Sequence, residues 1–200
     1  GQQVTADQYP YTASSTSLSA TVIPAEVRTW SKLKAALDDP EGGPKLKQRL
    51  ERTLEERDRG DAIVIASFTE NRSWQGKSLA KIAAETSRTP LDIVLDIMSH
   101  GGAQIVNFGM TEDEVRLFMR EPFVATASDG STQPLDSPAQ PHPRAFGTFP
   151  RKIGRYAIEG KFIPLAQAIR SASGLPADVL RLPDRGYLKP GYYADVGAFD

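Results

Sequence analysis

Asp129 and Arg144 are the two residues of this chain best placed to do chemistry. They are a carboxylate and a guanidinium in a segment otherwise built of turn formers, from Ser128-Asp129-Gly130 to His142-Pro143-Arg144. The apolar run Phe123 to Ala127 precedes the carboxylate, which suits a residue presented at the end of a buried strand. A carboxylate there can bind a metal or shuttle a proton, and the Arg can grip a substrate carboxylate in bidentate fashion. Each also has an ordinary reading. Ser-Asp-Gly is a common turn, and a lone Arg is by default a surface ion pair of little worth.

Histidine scarcity limits every catalytic reading, because the chain has only two, His100 and His142. Neither belongs to a His-x-His or His-Glu-x-x-His pattern. His100 ends a helical stretch before Gly101-Gly102, where a contact with the helix dipole accounts for it. The hydroxyl cluster Ser14-Ser15-Thr16-Ser17 has no His–Asp relay beside it, which argues against a serine hydrolase. Gly76-Lys77-Ser78 invites comparison with a phosphate loop, but Asn71 stands where that motif needs its first Gly. Ser78 is better read as a helix N-cap.

The elements that must position these residues alternate between strand and helix. Residues 4–11 read as a strand ended by Pro10, followed by a small-residue loop from Thr12 to Ser17. Helical spacing appears over 25–37, and the run Asp38 to Pro44 reads as a breaker. Lys45–Arg59 is an amphipathic helix with Leu46, Leu50 and Leu54 on one stripe. Ile63–Phe68 and Ala103–Phe108 read as strands, and Leu79 onward and Pro90–His100 as helices. Thr111 with Glu114 is a capping box, and residues 123–128 form the strand that delivers Asp129. The prolines around Arg144 predict a stiff loop, then helices over Lys152–Glu159 and Pro164–Ser173. From Leu182 on, short strands alternating with Gly turns are expected. The alternation predicts an α/β fold with a parallel sheet or barrel and a second, smaller β domain.

Composition sets the outer bounds. The 200 residues are 40% hydrophobic and 24% charged, which reads as soluble and globular. Acidic and basic residues nearly cancel, 25 against 24, and no basic patch points to nucleic acid. No apolar run approaches the roughly 18 residues of a membrane span. The chain has no cysteine, which excludes disulfides and thiolate chemistry and fits a cytoplasmic protein. It opens on a strand-like run without Met and closes on another, as expected of a piece of a longer protein.

Several motifs recur here in one order: Asp-x-Tyr-Pro-Tyr-Thr-Ala at 7–13, Ser-Asp-Gly at 128–130, His-Pro-Arg-Ala-Phe-Gly-Thr-Phe-Pro-Arg at 142–151 and Leu-Pro-Ala at 175–177. Asp-Arg-Gly-Tyr-Leu-Lys-Pro-Gly-Tyr-Tyr-Ala-Asp follows at 184–195. Together they resemble the N-acyl-D-amino-acid deacylases (D-aminoacylases) of the amidohydrolase superfamily, across nearly the whole chain. The tail motif is shared with dihydroorotases, hydantoinases and ureases; the block at 142–151 is more specific.

The resemblance implies the C-terminal part of a (β/α)8 TIM-like barrel with an insertion, plus part of a small β-sandwich. On that pattern residues 1–182 belong to the barrel, including an insertion at about 18–110 that covers the active site, and 183–200 to the β-sandwich. It also implies amide hydrolysis at a zinc site. Asp129 matches the residue that binds metal, takes the proton from the attacking water and passes it to the leaving amine. Arg144 matches the clamp on the substrate α-carboxylate, and Tyr11 with Ser15 or Ser17 matches its other polar contacts. A three-point grip of that kind would select the D-isomer. Ile23 stands where a cation would suit an acidic substrate and so points to a neutral side-chain pocket.

The family's His-x-His pair, bridging Cys and two later histidines all precede the matched segment, so zinc belongs to the parent enzyme and the isolated chain is expected to be inactive. Its partners would be an N-acyl-D-amino acid and, through exposed barrel edges, a second copy or the missing N-terminal portion. A metal-free carboxylate-binding domain and a hydantoinase- or dihydroorotase-type amidohydrolase are the alternatives. An α-carboxylate clamp at Arg144 favours the deacylase over a ring opener, whose cyclic ureide offers no carboxylate.

Overall fold

The computed structural model describes residues 4–132, 134 and 142–199; residues 1–3, most of the loop before His142 and the last residue of the expected final strand lie outside them. In chain order the elements are β1 (Ala6–Gln8), β2 (Ala13–Ser17), α1 (Leu18–Val22), α2 (Trp30–Asp38), α3 (Gly42–Glu55) and β3 (Ile63–Ser67). Then follow α4 (Leu79–Thr86), α5 (Pro90–Ser99), β4 (Gln104–Phe108), α6 (Glu112–Met119) and β5 (Val124–Thr126). The rest is helical: α7 (Arg144–Arg151), a π-helical run over Lys152–Glu159, α8 (Leu165–Ala172) and α9 (Gly174–Leu180). The chain divides into two compact units, one centred on Ala13–Gly109 and one made of the segments to either side.

The Ala13–Gly109 unit is a three-stranded antiparallel sheet, β2-β4-β3, packed by helices. This sheet is antiparallel where the strand–helix alternation predicted a parallel sheet or barrel; the parallel pairing occurs in the other unit. The hydroxyl-rich stretch expected to be a loop is strand β2, with Ser15 opposite Val106 and Ser17 opposite Gln104. Small hydroxyl residues have no strong strand preference of their own, and here pairing with β4 decides the conformation. The core of this unit includes Leu18, Leu33, Leu50, Ile63, Ile65, Leu79, Ile82, Ile93, Ile97 and Ile105, all fully buried. The expected stripe on α3 points inward, with Leu50 and Leu54 buried and Leu46 packed against the core.

Helix α3 starts inside the stretch read as a breaker. Asp39 accepts from the Gly42 N–H at 2.5 Å, and Pro44 falls in the first turn, where a missing N–H costs nothing. Gly43 is required there, because a Cβ would lie 2.3 Å from the Leu37 carbonyl oxygen. The caps foreseen at Ser78 and at Thr111 with Glu114 both form, and α5 has one that was not foreseen, a capping box of Thr89 with Asp92 ahead of Pro90.

In the other unit β1 and β5 pair in parallel, with Gln8 opposite Thr126. A separate small core of Val115, Met119, Tyr156, Ala157, Ile163 and Ala168 lies in this unit. The Pro-rich segment around Arg144, expected as a loop, is helix α7, whose first turn closes with Gly147 N–H donating to the Pro143 carbonyl at 2.8 Å. Pro143 pre-sets a helical φ at the cap. Pro150 removes one hydrogen bond from the last turn, and the helix widens into the π-helical run just beyond it. The segment after Leu180 holds turns and no strand among the described residues, in place of the short strands expected there.

Candidate active site

Three of the residues singled out in the sequence meet in one unit. Asp129 follows β5, Tyr11 follows β1, and Arg144 opens α7, so the parallel strand pair and one helix converge on them. The Arg144 Nη2 lies 3.0 Å from the Asp129 Oδ2. The Arg144 side chain is only 11% exposed and Asp129 is 70% exposed, so the guanidinium is held by the protein while the carboxylate faces solvent. The Arg144 guanidinium also stacks over the Tyr9 ring, 4.9 Å from its centroid.

Asp129 sits at φ +46°, in the left-handed region that Asp tolerates better than most residues. Ser128 supports the turn by accepting from the Gly130 N–H at 3.2 Å. Gly130 must be glycine for a different reason: a Cβ would approach the Ala145 Cα to 2.7 Å. That close approach is what brings the Asp129 loop against the start of α7.

Tyr11 donates to the Pro143 carbonyl at 3.3 Å and lies against Gly147, where a Cβ would meet the phenol oxygen at 2.4 Å. Burial pushes the Tyr11 hydroxyl above its ordinary value, with the Arg151 cation pulling the other way. Arg151 lies over the Tyr11 ring at 4.7 Å and donates from Nε to the Pro10 carbonyl at 2.7 Å. Arg151 and its neighbour Lys152 carried no role in the sequence reading. The seven-residue spacing from Arg144, two helical turns on one face, was the available signal.

Ser15 and Ser17 belong to the other compact unit. Ser17 caps α1, accepting from the Ala20 N–H at 3.2 Å, and pairs with the Ser19 hydroxyl at 3.1 Å. Ile23 is buried in the core of that same unit. His100 ends α5 with its Nδ1 at 2.9 Å from the Asp96 carbonyl, the helix-terminal role expected of it. His142 is buried, and its Nε2 lies 2.9 Å from the Ala13 carbonyl, so that nitrogen carries the proton.

A zinc site needs several converging His, Cys or carboxylate donors. Among the described residues no cluster of three such groups could hold a metal ion, and Asp129 faces a guanidinium instead. The described residues therefore do not make a zinc site by themselves. Nor does any described helix have the length and apolarity to cross a membrane.

No family model matches the chain. Its relatives are nonetheless consistent. It is 38% identical over 146 residues to an N-acyl-D-glutamate deacylase of Alcaligenes xylosoxydans xylosoxydans, covering 73% of this chain and 28% of the relative. It is 35% identical over 125 residues to a D-aminoacylase of the same organism, covering 62% of this chain and 24% of that protein. Among solved structures it superposes on a D-aminoacylase described as defining a novel subset of amidohydrolases, with a TM-score of 0.67 at 30% identity. That match covers 97% of this chain and 32% of the D-aminoacylase. An N-acyl-D-glutamate deacylase from Bordetella bronchiseptica, solved with zinc and a phosphonate mimic of the tetrahedral intermediate, matches at TM-score 0.65 and 31% identity, over 94% of this chain and 31% of its own. The chain thus spans about a third or less of the relatives it matches, and it belongs to the D-aminoacylase (N-acyl-D-amino-acid deacylase) family of amidohydrolases.

Proposed function

We propose that this chain is part of a metal-dependent hydrolase that cleaves the amide bond of N-acyl-D-amino acids to a carboxylate and a free D-amino acid. The observation that carries the reading is the pairing of Arg144 with Asp129 beside Tyr11, at the ends of two parallel strands. Arg144, held in place and planar, is the clamp for the substrate α-carboxylate. Asp129 takes the proton of the attacking water and returns it to the departing amine, so no net proton is gained or lost. Tyr11 adds a hydroxyl to the carboxylate grip, and Ser15 and Ser17 are assigned the same role.

Zinc is the cofactor proposed for the complete enzyme, with Asp129 among its ligands and the others outside the described residues. The same reading makes residues 1–182 the C-terminal part of a (β/α)8 barrel, with β1 and β5 as neighbouring barrel strands and an insertion at about 18–110. It assigns 183–200 to a β-sandwich whose partner strands lie elsewhere in the protein. The absence of cysteine supports a cytoplasmic setting. Among the described residues both outer edges of the β1–β5 pair are open, which supports pairing with a second copy or with further barrel strands.

Assays of the 200-residue chain with added zinc, against N-acetyl-D- and L-amino acids, are expected to show no amine release. The chain should still bind N-acetyl-D-amino acids through the carboxylate, seen as shifts of the Arg144 and Tyr11 signals by NMR. Binding that is indifferent to the carboxylate, tested with the corresponding amide, would sink the reading. D-selective turnover would instead overturn the expected inactivity. Light scattering on the same sample should find self-association, and a monodisperse monomer would count against the open-edge argument.

A further inference from the structure

We propose that Arg151 and Lys152, adjacent on the helix that carries Arg144, are positioning residues that clamp the two strand ends bearing Tyr11 and Asp129. The proposal rests on the deacylase reading for its purpose, but its geometry stands apart from it. Arg151 reaches the end of β1: its Nε donates to the Pro10 carbonyl at 2.7 Å and its guanidinium covers the Tyr11 ring. Lys152 reaches the end of β5: its Nζ donates to the Thr126 hydroxyl at 2.9 Å. Gln8 and Thr126 are register partners, so the two anchors hold neighbouring strands, Lys152 at the last residue of β5 and Arg151 two residues beyond the end of β1. Seven residues earlier on the same helix, Arg144 meets Asp129 and Tyr9.

The Lys152 contact continues inward with a defined proton order. Ser171 donates to the Ala168 carbonyl at 2.8 Å, so Thr126 must donate to Ser171 at 2.9 Å and accept from Lys152. One helix thus fixes β1 through a carbonyl and β5 through a hydroxyl chain that also ties in α8. The widened π-helical backbone begins at Lys152, where the two consecutive side chains diverge to the two strands. Lys152 is 2% exposed, and among the described residues it has no carboxylate partner. A lysine so placed opposes folding on its own account, so what it contributes is position.

The test reads each anchor separately in the chain, with no ligand present. Tyr11 is followed by its phenol-carbon NMR titration, Arg144 by hydrogen exchange at its Nε, and the whole by denaturant melting. In Arg151→Met the Tyr11 midpoint is expected to fall back toward that of an exposed tyrosine, with Arg144 exchange unchanged. Arg151→Lys, which keeps a cation and a donor, should restore most of the native midpoint. In Lys152→Met the Arg144 Nε is expected to exchange at least tenfold faster while Tyr11 titrates as before. A rise of the Tyr11 midpoint in Arg151→Met would show that Arg151 acts only as a nearby charge, and no change would show that it does not act at all; either overturns the proposal. Equal disturbance of both signals in each variant, or of neither, overturns it too. Should Arg151→Met fail to fold, the selective response of Arg144 in Lys152→Met decides alone. Because these signals need no substrate, a failed clamp is distinguishable from a failed deacylase assignment.

Discussion

Arg144→Met in the complete deacylase is expected to lower kcat/KM for N-acetyl-D-amino acids by about a hundred- to a thousand-fold. Truncating one member of a desolvated, hydrogen-bonded charge pair costs roughly 2–5 kcal/mol, and each 1.4 kcal/mol is about tenfold. The Arg144 side chain is already ordered by the Tyr9 ring and by its contact with Asp129, so little further ordering is needed on substrate binding. Arg144→Lys should recover only part of the loss, since an ammonium cannot reproduce two parallel donors. An N-acyl amine without the α-carboxylate should be turned over equally slowly by both proteins. The preference for D over L should shrink with the clamp, because one of the points that fix the stereocentre is gone. Equal kcat/KM values for wild type and Arg144→Met, measured on a D/L pair, would remove Arg144 from the site.

The contact between Asp129 and Arg144 also bears on how the proposed clamp would work. The guanidinium that would hold a substrate carboxylate holds a protein carboxylate in this structure. In the proposed reaction a substrate carboxylate would give Arg144 a second acceptor, and its several donors in a fixed fork can serve two carboxylates at once. Asp129 is mostly exposed and lies on a turn that Gly130 holds close against the start of α7. Its positive φ fits a residue whose place is imposed by the surrounding elements rather than by its own preference.

Much of this was legible in the sequence, and the physical reasons for the rest are specific. Elements defined by local signals came out as read: α6 starts at its capping box, and α3 carries its leucine stripe. Asp129 and Arg144, which the fold brings into contact, could be singled out because a charged residue after an apolar run, and an Arg set among prolines, stand out locally. What failed was long-range. The hydroxyl stretch 13–17 is a strand only because β4 offers an edge to pair with. The prolines around Arg144 suggested a loop, yet Pro143 sits at the cap, where its fixed φ helps, and Pro150 falls where the helix is about to widen. Arg151 and Lys152 look like two surface cations in the sequence. Only the fold shows one over a tyrosine ring and the other buried against a threonine. Residues that act through their neighbours leave little trace in composition or periodicity.

Lys152→Met is expected to stabilise the folded chain by about 1–3 kcal/mol at pH 7 and to flatten its stability profile at alkaline pH. Burial alone depresses the Lys152 amine from an ordinary 10.5 to about 8. Between those two values the unfolded chain binds more protons than the folded one, so stability rises with pH through that window. Below pH 8 the folded chain must carry the buried ammonium, and a depression of this size corresponds to roughly 3 kcal/mol against folding. Methionine has a similar length and no charge, and Thr126 and Ser171 keep their mutual 2.9 Å hydrogen bond without it. Urea melts from pH 7 to 10.5 would show wild-type stability climbing and the variant's staying level from this group. A Lys152→Met chain less stable than wild type at pH 7 would mean that the Nζ–Thr126 bond outweighs the burial cost, and a shared slope would mean that the amine does not titrate in this range. The expected result separates two properties that usually go together. If the variant gains stability while the Arg144–Asp129 contact loosens, then Lys152 is a residue whose cost to folding is offset only by where it holds the end of β5.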